Sequence, residues 1–493
     1  MSNLRRQTVV GAAWLTGGKL GGQGLSLVRN VIVARMIGPE DLGLAATFVL
    51  TLSFIEAVST LGVDRLLVQA KDGDSPQFQR TAHAVNSLRG ALLAGGIFAA
   101  SWWLAALFGA PEAVWAYQLV ALVPLLRGLS HLDAKIAHRS MNFSRDTRIE
   151  LGVQIALLAL AWPTCAWLGD YRAAVALTVA SGVLTLLGTH VVATRPYRWA
   201  WDRAYLGRIT SFGWPLLING VLLFLILQGD QFIIGAAPRL FGSSYTHGDL
   251  GQFAAAAGLA LAVHTAIASI SGTLFFPMLA ACQENGSVFG HRYQACAELI
   301  AFAAVGTAAL GIVLGPNVMT RVYGAQFSVA AGLFPLIMAS QMVRLLRVAP
   351  NLAAMARADT SATALANAVR VLSFAGAVVV AARDGALFLF AAVALGAELL
   401  AGLVALVRLN RRSPLPSPIG VAPFVGGIML IGVCLLSQRL LANDNSPGAQ
   451  LGLGQLAVLV AIPLVALIVM AEVRNQGMLV LHQWRSGALR GRS

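Results

Sequence analysis

Residues 34–48 read ARMIGPEDLGLAATF, and residues 235–257 read GAAPRLFGSSYTHGDLGQFAAAA. Each stretch contains an Asp-Leu-Gly triplet, at residues 41–43 and 249–251, that stands directly before an apolar run. Aspartate is favoured at helix N-termini, so each triplet predicts the start of a helix. The triplets are 208 residues apart, which predicts an internal repeat.

The sequence on either side of these stretches has the composition of a membrane protein. The chain has 493 residues, of which 57% are hydrophobic and 11% charged, and its mean hydropathy is +0.73. Soluble domains carry roughly twice that share of charged residues. Lys and Arg outnumber Asp and Glu by 35 to 21. These basic residues fall in short clusters between apolar runs rather than in one stripe, so we expect no nucleic-acid partner.

Apolar runs long enough to cross a bilayer recur along the whole chain. A spanning helix needs about 20 mostly apolar residues. The first run is too long for the core of a cleaved signal peptide and is expected to remain as a spanning helix. About 14 transmembrane helices are predicted, near residues 8–33, 40–63, 84–108, 113–133, 149–168, 173–194, 210–235, 250–276, 294–318, 329–350, 362–382, 386–407, 419–438 and 452–472.

The repeat and the spans together predict the architecture. Six spans fit between equivalent points of the two repeats, and an even number of spans gives both halves the same orientation. We therefore expect an all-α polytopic membrane protein whose two six-helix lobes, as parallel repeats, surround a central cavity. The predicted domains are an N-terminal lobe at 1–208, a C-terminal lobe at 209–412, and two additional helices with a tail at 413–493.

The distribution of basic residues predicts the orientation of the chain. Short cytoplasmic loops are enriched in Lys and Arg. When the N-terminus is placed in the cytoplasm, 26 of the 35 basic residues fall in inside segments. Both termini are therefore expected to be cytoplasmic. Segment 129–148 alternates basic and apolar residues, and it either forms a solvated basic loop on that face or contacts lipid headgroups.

Common motifs of hydrolases, metal sites and nucleotide-binding proteins are absent from the sequence. There is no HExxH, GxSxG or GxxxxGK[ST] motif, and no His/Cys cluster has metal-ligand spacing. The four cysteines form no CxxC pair, so we expect free thiols. No outside loop exceeds about 15 residues on this topology. We therefore expect no enzyme activity, no cofactor and no metal, and we look for function inside the helix bundle.

Ionisable side chains within the spans are the candidate functional residues. Burying one at the bilayer centre costs about 2.5–3.5 kcal/mol on insertion scales, so such groups usually face a bundle interior or a wet cavity. They are Lys19, Arg29, Glu56, Asp230, Glu298, Arg344, Arg347, Arg370 and Glu398.

Several of these residues have a structural alternative. Lys19 and Glu56 lie on adjacent predicted helices and could neutralise each other as an ion pair. Arg29 could grip a phosphate bidentately or reach the outer headgroups. Arg344 and Arg347 lie near a predicted cytoplasmic end, where long side chains can extend to the interface.

Asp230 is placed in the apolar stretch LQGDQFIIG at residues 227–235. Its carboxylate could bind a coupling cation or proton, pair with an arginine such as Arg29, or cap backbone at a helix break. The interhelical pair is ranked first. Pro215 follows Gly213 and Trp214 and predicts a kink near the start of the same helix.

Glycines in the first helix predict close packing. GGKLGGQG at residues 17–24 gives two small-xxx-small pairs, which let helices approach closely. So many glycines also help a helix to bend during gating. The pairs are Gly17 with Gly21, and Gly18 with Gly22.

Several stretches, in order and spacing, resemble the polysaccharide-exporter (PST) branch of the multidrug/oligosaccharidyl-lipid/polysaccharide (MOP) flippase superfamily. The resemblance covers nearly the whole chain. The stretches are RNVIVARMIGPEDLGLAA (29–46), LGVDRLLVQ (61–69), AHRSMNFSRDTRIE (137–150), GDQFIIG (229–235), DLGQFAAA (249–256), FFPMLAACQ (275–283) and RVYGAQFSVAAGLFPLI (321–337).

This resemblance implies a flippase. Its members move undecaprenyl-diphosphate-linked oligosaccharide repeat units from the inner to the outer leaflet of the bacterial inner membrane, for exopolysaccharide, capsule or O-antigen assembly. Partners implied are this lipid-linked substrate, membrane lipids, a coupling cation or proton, and a polysaccharide polymerase with other assembly proteins. An Asp at the position of Asp230 is typical of the branch.

The residues divide into three sets under this interpretation. Arg29, Lys19, Arg370 and Arg344 are candidate walls for the diphosphate and glycan. Asp230 and Glu56 are candidates for ion coupling or for a pair between the lobes, and Gly17, Gly18, Gly21, Gly22 and Pro215 for packing or gating. Two alternatives remain open: a multidrug exporter of the same superfamily, and a non-transporting scaffold of a polysaccharide synthase complex.

Overall fold

Long apolar runs with few breakers form helices throughout the described part of the chain. The computed structural model describes residues 2–412, 421–441, 459–462 and 464–466, and within these ranges it contains helices, turns and no strand. The all-α prediction is confirmed. The α-helices are α1 (Ser2–Ala57), α2 (Val63–Gln69), α3 (Pro76–Leu107), α4 (Val114–Val120), α5 (Leu122–Gly128), α6 (Asp133–Ile136), α7 (Ser144–Leu168), α8 (Tyr171–Val192), α9 (Arg203–Phe241), α10 (His247–Ala280), α11 (Gly286–Tyr323), α12 (Ser328–Leu346), α13 (Val348–Ala356), α14 (Thr360–Arg370), α15 (Leu372–Ala382), α16 (Leu387–Arg412) and α17 (Val421–Leu441).

The membrane-spanning character of these helices agrees with the sequence. Within the described residues, ten helices are long and apolar enough to cross a membrane, or eleven if a bent pair forms one span. That pair, Pro111–Gly128 with Asp133–Ser140, bends by 49°. The predicted total of 14 is not confirmed by this count, and the last predicted helix lies largely outside the described residues.

α1 contains the predicted span 8–33 and most of the predicted span 40–63. Gly38 interrupts its helical backbone with φ +82°, a left-handed value that glycine adopts without a Cβ clash. Pro39 follows, where its fixed φ suits the first turn of a new helix. The turn between the first two predicted spans therefore lies inside α1, in the stretch 34–48.

The two Asp-Leu-Gly triplets occupy equivalent places, because each begins three residues after the residue that precedes a helical segment. Thr246 precedes α10, and its hydroxyl accepts from the Asp249 N–H while the Asp249 carboxylate accepts from the Thr246 N–H at 2.9 Å. This reciprocal pair is a capping box. Asp41 lies three residues after Gly38, and its carboxylate accepts from the N–H of Tyr171 at the start of α8. Both aspartates thus satisfy backbone donors at helix N-termini, as the sequence predicts, although neither is itself the cap residue.

The repeated triplets also contact each other through their glycines. A Cβ added at Gly43 would lie 1.7 Å from the His247 carbonyl oxygen, and one added at Gly251 would lie 1.9 Å from the Pro39 carbonyl oxygen. No real Cβ atom tolerates these separations. Each glycine therefore lets its own helix start pack backbone-to-backbone on the helix start of the other repeat.

The helices group into two compact units. The first comprises residues 1–255, 322–327 and 374–386, and the second comprises 256–321, 328–373 and 387–493. The predicted domains at 1–208, 209–412 and 413–493 follow the sequence repeat and stay a prediction. Residues 413–420 and most of 442–493 lie outside the described part of the chain.

The first unit has a hydrophobic core against which polar groups are paired. Tyr117 is fully buried, its ring meets Phe48 edge-on at 4.7 Å between centroids, and its hydroxyl lies 2.7 Å from that of Thr47. A second cluster joins α1, α7 and α8 around Leu157 and Ala161. Buried tyrosine usually finds such a hydroxyl partner, because an unpaired O–H in an apolar core is costly.

Exposed tryptophans mark two zones on the surface of this unit. Tryptophan concentrates at membrane–water interfaces. One group lies near the C-terminal ends of α3 and α7, and the other lies in the α8–α9 link and early in α9. The first group is Trp102, Trp103, Trp162 and Trp167, and the second is Trp199, Trp201 and Trp214.

Candidate functional site

Three arginines and one glutamate meet in the second unit. Glu398 on α16 accepts an ion pair from Arg370 of α14 at 2.7 Å. Arg347, in the link between α12 and α13, lies 3.4 Å from the same carboxylate, and Arg344 at the end of α12 lies 3.9 Å from it. The side chains of Arg347 and Arg370 are each 5% exposed. We call these four residues the arginine cluster.

Two helical spacings bring the arginine cluster together. Arg344 and Arg347 are three residues apart, so they lie on one face of the helical segment that α12 and α13 continue. That segment qualifies as a single span from Ala325 to Ala356, which places both arginines in its interior rather than near an end. In the structure both side chains approach Glu398, and the alternative in which they extend to the interface stays a prediction.

The arginine cluster continues into a polar layer between helices. His264 of α10 lies with Nδ1 3.0 Å from the carbonyl oxygen of Gln341, and the Gln341 side chain faces Arg344 at 3.5 Å. Arg347 also reaches the Asn367 amide oxygen at 3.5 Å. These last two contacts are at the long limit of hydrogen bonding. Among the described residues, the buried Nε of Arg347 has no hydrogen-bond partner.

Arg29 lies in a different polar group, within the first unit. Its guanidinium donates to the Gln154 amide oxygen on α7 at 3.1 Å and to the Ser26 hydroxyl at 3.0 Å. It also donates to the neighbouring Asn30 at 3.0 Å. The structure records no ion pair between Arg29 and Asp230 in the described residues.

Glu56 pairs with Arg127 of α5 rather than with Lys19. Both members of this pair are partly exposed, at 33% and 44% of the side chain. The alternative in which Lys19 and Glu56 neutralise each other is not the arrangement in the structure, because the Glu56 carboxylate is paired with Arg127. Lys19 instead lies on the part of α1 that faces α7, where Glu150 approaches Gly22.

Asp230 lies within α9 beside a close helix contact. Its carboxylate accepts from the N–H of Gln231 at 2.8 Å. Gly229 next to it is buried, and a Cβ there would lie 2.6 Å from the Phe374 ring. The expected pairing with Arg29 is not present among the described residues, and α9 runs from Arg203 to Phe241 through both Pro215 and Asp230.

Three of the four helix-1 glycines face α7. A Cβ on Gly18 would lie 2.2 Å from the Thr147 methyl group, one on Gly21 3.2 Å from Leu151, and one on Gly22 3.1 Å from the Glu150 carboxylate. A Cβ on Gly17 would meet no described atom within 4 Å. The stretch therefore packs through one face of α1, to which Gly17 does not belong.

The sequence did not single out Arg347 and Glu398 as site residues, although both are among the ionisable residues of the spans. The three-residue spacing from Arg344 to Arg347 is the signal that points to a shared face. No comparable signal exists for Glu398, because its contacts come from two other helices. The structure thus brings Arg344 and Arg370 together, and it gives Arg29 a polar neighbourhood of its own.

A second polar cluster was also not anticipated. Asp133 of α6 is buried and accepts from the Thr194 N–H at 2.8 Å and from the Thr194 hydroxyl at 2.9 Å. Arg145 and Arg195 lie 3.3 and 3.4 Å from its carboxylate. These contacts tie segment 129–148, which the sequence placed along one face, to the end of α8.

The fold is similar to that of membrane proteins whose structures have been solved. The structure is similar to that of the lipid II flippase MurJ in an inward closed conformation, with a TM-score of 0.71 and 12% identity over 94% of this chain and 99% of that one. It is also similar to an inward-facing multidrug resistance MATE transporter of the MOP superfamily, with a TM-score of 0.60 and 14% identity over 86% of this chain and 96% of that one. The fold of this multi-pass membrane protein is therefore similar to the fold of these two solved structures.

Sequence similarity identifies the family more closely. The family described as "Polysaccharide biosynthesis protein" matches residues 32–332, more than half of the chain, and this protein belongs to it. A curated relative, the succinoglycan biosynthesis transport protein ExoT of Rhizobium meliloti (strain 1021), is 25% identical over 272 residues, covering 53% of this chain and 52% of the relative. The chain thus matches about half the length of that relative.

Proposed function

We propose that this protein is a flippase for undecaprenyl-diphosphate-linked oligosaccharide repeat units. It moves them from the inner to the outer leaflet of the bacterial inner membrane, for exopolysaccharide, capsule or O-antigen assembly. A polysaccharide polymerase and other assembly proteins act with it. Membership of the polysaccharide biosynthesis family and similarity to a relative named as a succinoglycan transport protein support this proposal.

The arginine cluster is the observation that carries the proposal. A diphosphate headgroup crossing the membrane needs cationic hydrogen-bond donors that are held away from bulk water, and the planar guanidinium suits phosphate oxygens. Arg344 and Arg370 supply such donors within predicted spans, with one carboxylate shared among three arginines. A multidrug exporter that binds organic cations would need the opposite sign of charge.

Other residues of the spans take supporting roles in this mechanism. Arg29 and Lys19 line the path of the diphosphate and glycan in the N-terminal lobe, and the two lobes alternate the access of the substrate to each side. Asp230 is the preferred site for a coupling cation or proton, because Glu56 is already neutralised by Arg127. Close packing at Gly18, Gly21 and Gly22 keeps α1 and α7 together during the motion.

A reconstituted flipping assay tests the proposal. Purified protein in proteoliposomes is given undecaprenyl-diphosphate oligosaccharide, and wild type is compared with Arg29→Ala and Arg370→Gln at matched reconstitution levels. We expect flipping by wild type and a loss of at least tenfold in each variant. Arg439→Gln, which removes an exposed arginine near the end of α17, is the matched control and should flip normally.

The same vesicles test coupling and the alternatives. An imposed proton or sodium gradient should accelerate flipping by wild type but not by Asp230→Asn. If wild type moves no lipid-linked glycan under any gradient yet exports organic cations, the multidrug exporter replaces the flippase. If it moves neither while remaining folded, the synthase scaffold replaces both.

A further inference from the structure

We propose that Arg344, Arg347 and Arg370 form a seat for a phosphate group, and that Glu398 is an internal counter-ion which the incoming phosphate displaces. The inference rests on the proposed function, since the diphosphate of the lipid-linked substrate is the anion it concerns. It adds a location for that anion in the second unit, a third arginine, and a role for the glutamate.

Charge balance is the first reason. The arginine cluster places three guanidinium groups within 4 Å of one carboxylate, so it carries two more positive charges than negative ones. All four residues belong to segments apolar enough to cross a membrane. Unbalanced charge is strongly disfavoured there, and an ion cluster that serves structure alone would be closer to neutral. A dianionic group would balance this one.

Unused donors are the second reason. The shared carboxylate makes one close contact, at 2.7 Å with Arg370, while Arg347 and Arg344 stand back at 3.4 and 3.9 Å. In the described part of the chain, the buried Nε of Arg347 has no hydrogen-bond partner. Most buried donors in proteins are satisfied. A donor without a partner beside two guanidiniums that stand 3.4 and 3.9 Å from the carboxylate leaves the cluster able to bind a larger acceptor than one carboxylate.

A phosphate group can accept hydrogen bonds from the arginine donors that the Glu398 carboxylate does not reach. A carboxylate offers two oxygens in one plane, whereas a phosphate group offers oxygens in a tetrahedral arrangement that three guanidiniums from different helices can reach together. Arginines from the α12–α13 segment and α14 approach from separate directions. Chloride offers no directional oxygens and would bind more weakly.

Glu398 then has a definite function in the empty state. Three buried guanidiniums without any anion would repel one another, so a carboxylate is needed to keep the helices together when the seat is vacant. The same carboxylate competes with phosphate, because it already occupies the donors of Arg370. Because phosphate must displace the Glu398 carboxylate from the arginines, phosphate binds more weakly than it would without this competitor. The weaker binding allows phosphate to be released after transport.

Binding to the purified full-length protein in nanodiscs tests the seat. Inorganic pyrophosphate is the probe, measured by calorimetry for wild type, Arg347→Gln and Glu398→Gln. Loss of one charged hydrogen-bond donor should weaken binding by roughly tenfold in Arg347→Gln. Loss of the competing charge should strengthen it by roughly tenfold in Glu398→Gln. The opposite signs of the two effects are the signature of the proposal.

Matched controls separate this result from general damage. Arg357→Gln removes an arginine of the same unit that lies over the Phe289 ring at 4.2 Å, away from the arginine cluster, and should bind pyrophosphate as wild type does. Arg347→Lys keeps the charge but loses the planar fork, and it replaces Arg347→Gln if that variant does not fold. If undecaprenyl diphosphate competes with pyrophosphate for binding, the seat belongs to the lipid headgroup. If undecaprenyl diphosphate does not compete, the seat belongs to free diphosphate.

Two results would overturn the inference. One is pyrophosphate binding that is unchanged in Arg347→Gln, and the other is binding that Glu398→Gln weakens or leaves absent. Both results can coexist with flipping of lipid-linked glycan by wild type, in which case the proposed function stands and only the seat is lost. Binding with the expected signs in a protein that flips nothing would instead leave the seat and remove the flippase.

Discussion

Buried carboxylates in this protein have environments that differ by residue, and those differences decide their roles. Glu398 and Asp133 are both nearly covered, and both lie near more than one arginine. Asp133 additionally accepts backbone and hydroxyl hydrogen bonds from Thr194, while Glu398 has an oxygen, Oε2, with no hydrogen bond in the described part of the chain. The first arrangement fixes a segment, and the second leaves room for exchange.

Asp133 should make stability depend on pH. Burial alone would raise the pKa of its carboxyl, but the hydrogen bonds from Thr194 and the charge of Arg195 outweigh burial and hold the pKa below its ordinary value of 3.8. The charged form is therefore favoured by folding, and its contribution is present at neutral pH and lost as pH falls through the folded pKa. Asp133→Asn should cost about 1–3 kcal/mol at pH 7.

Thermal unfolding in detergent between pH 7 and pH 3 measures this dependence. The melting temperatures of wild type and Asp133→Asn should begin to converge as pH falls below the ordinary carboxyl pKa of 3.8, because the unfolded carboxyl then binds a proton while the native one, whose pKa is lower, still resists it. Asp74→Asn, at an exposed aspartate, is the control and should follow wild type. A constant difference between wild type and Asp133→Asn across the whole range would contradict the assignment.

At the scale of the element, the glycine of each repeated triplet sets how closely two helix starts approach. Gly251→Ala would place a methyl group against the Pro39 carbonyl oxygen, and the helix starts must separate to admit it. We expect a loss of about 1–3 kcal/mol of stability from such overpacking. Gly258→Ala in the same helix meets no described atom within 4 Å, and it should be neutral or stabilising by up to about 1 kcal/mol.

Melting temperatures of the two variants compare these outcomes directly. Both changes add the same methyl group to α10, so helix propensity affects them equally and only the contact differs. Equal melting temperatures would show that the two triplets do not pack together as described.

The packing of α1 on α7 leads to a second prediction at this scale, which concerns the stability of glycine variants in α1. Gly18→Ala forces a clash with the branched Thr147 side chain, which has little rotamer freedom in a helix, and should destabilise the protein by about 1–3 kcal/mol. Gly17→Ala next to it should have no such effect. Thr147→Ala should restore the stability of Gly18→Ala in a double-mutant cycle, and an additive result would argue against the contact.

Sequence predicted the helices well and their rotations poorly. Hydropathy and the repeated triplets gave the helical class and most span positions, because both are properties of a single segment. The partners of Glu56 and Asp230 depend on which face each helix turns to its neighbours, and no local pattern encodes that. The residues of the arginine cluster come from different helices, α12, α14 and α16, and the link after α12. Only the spacing from Arg344 to Arg347 can be seen in the sequence alone.

At the scale of the whole molecule, we expect the distribution of basic residues to orient the chain in the membrane. Arginines and lysines recur from α2 to the first half of α3, from α5 to the first turns of α7, and from the α8–α9 link to the first turns of α9. These links are at one end of the spans if the chain alternates, and the positive-inside rule places that end in the cytoplasm. The exposed tryptophans near the ends of α3 and α7 then belong to the outer interface.

Cysteine labelling tests this orientation on a single helix. α3 has 32 residues, and at 1.5 Å per residue it extends about 48 Å, enough to cross the hydrocarbon core. Asp74 and Glu112 are exposed just beyond its two ends. The native cysteines Cys165, Cys282, Cys296 and Cys434 are all free and buried, so background labelling should be low. An impermeant maleimide added to spheroplasts should label Glu112→Cys and leave Asp74→Cys unlabelled until the membrane is opened. The reverse pattern would place the basic links outside and invert the direction proposed for transport.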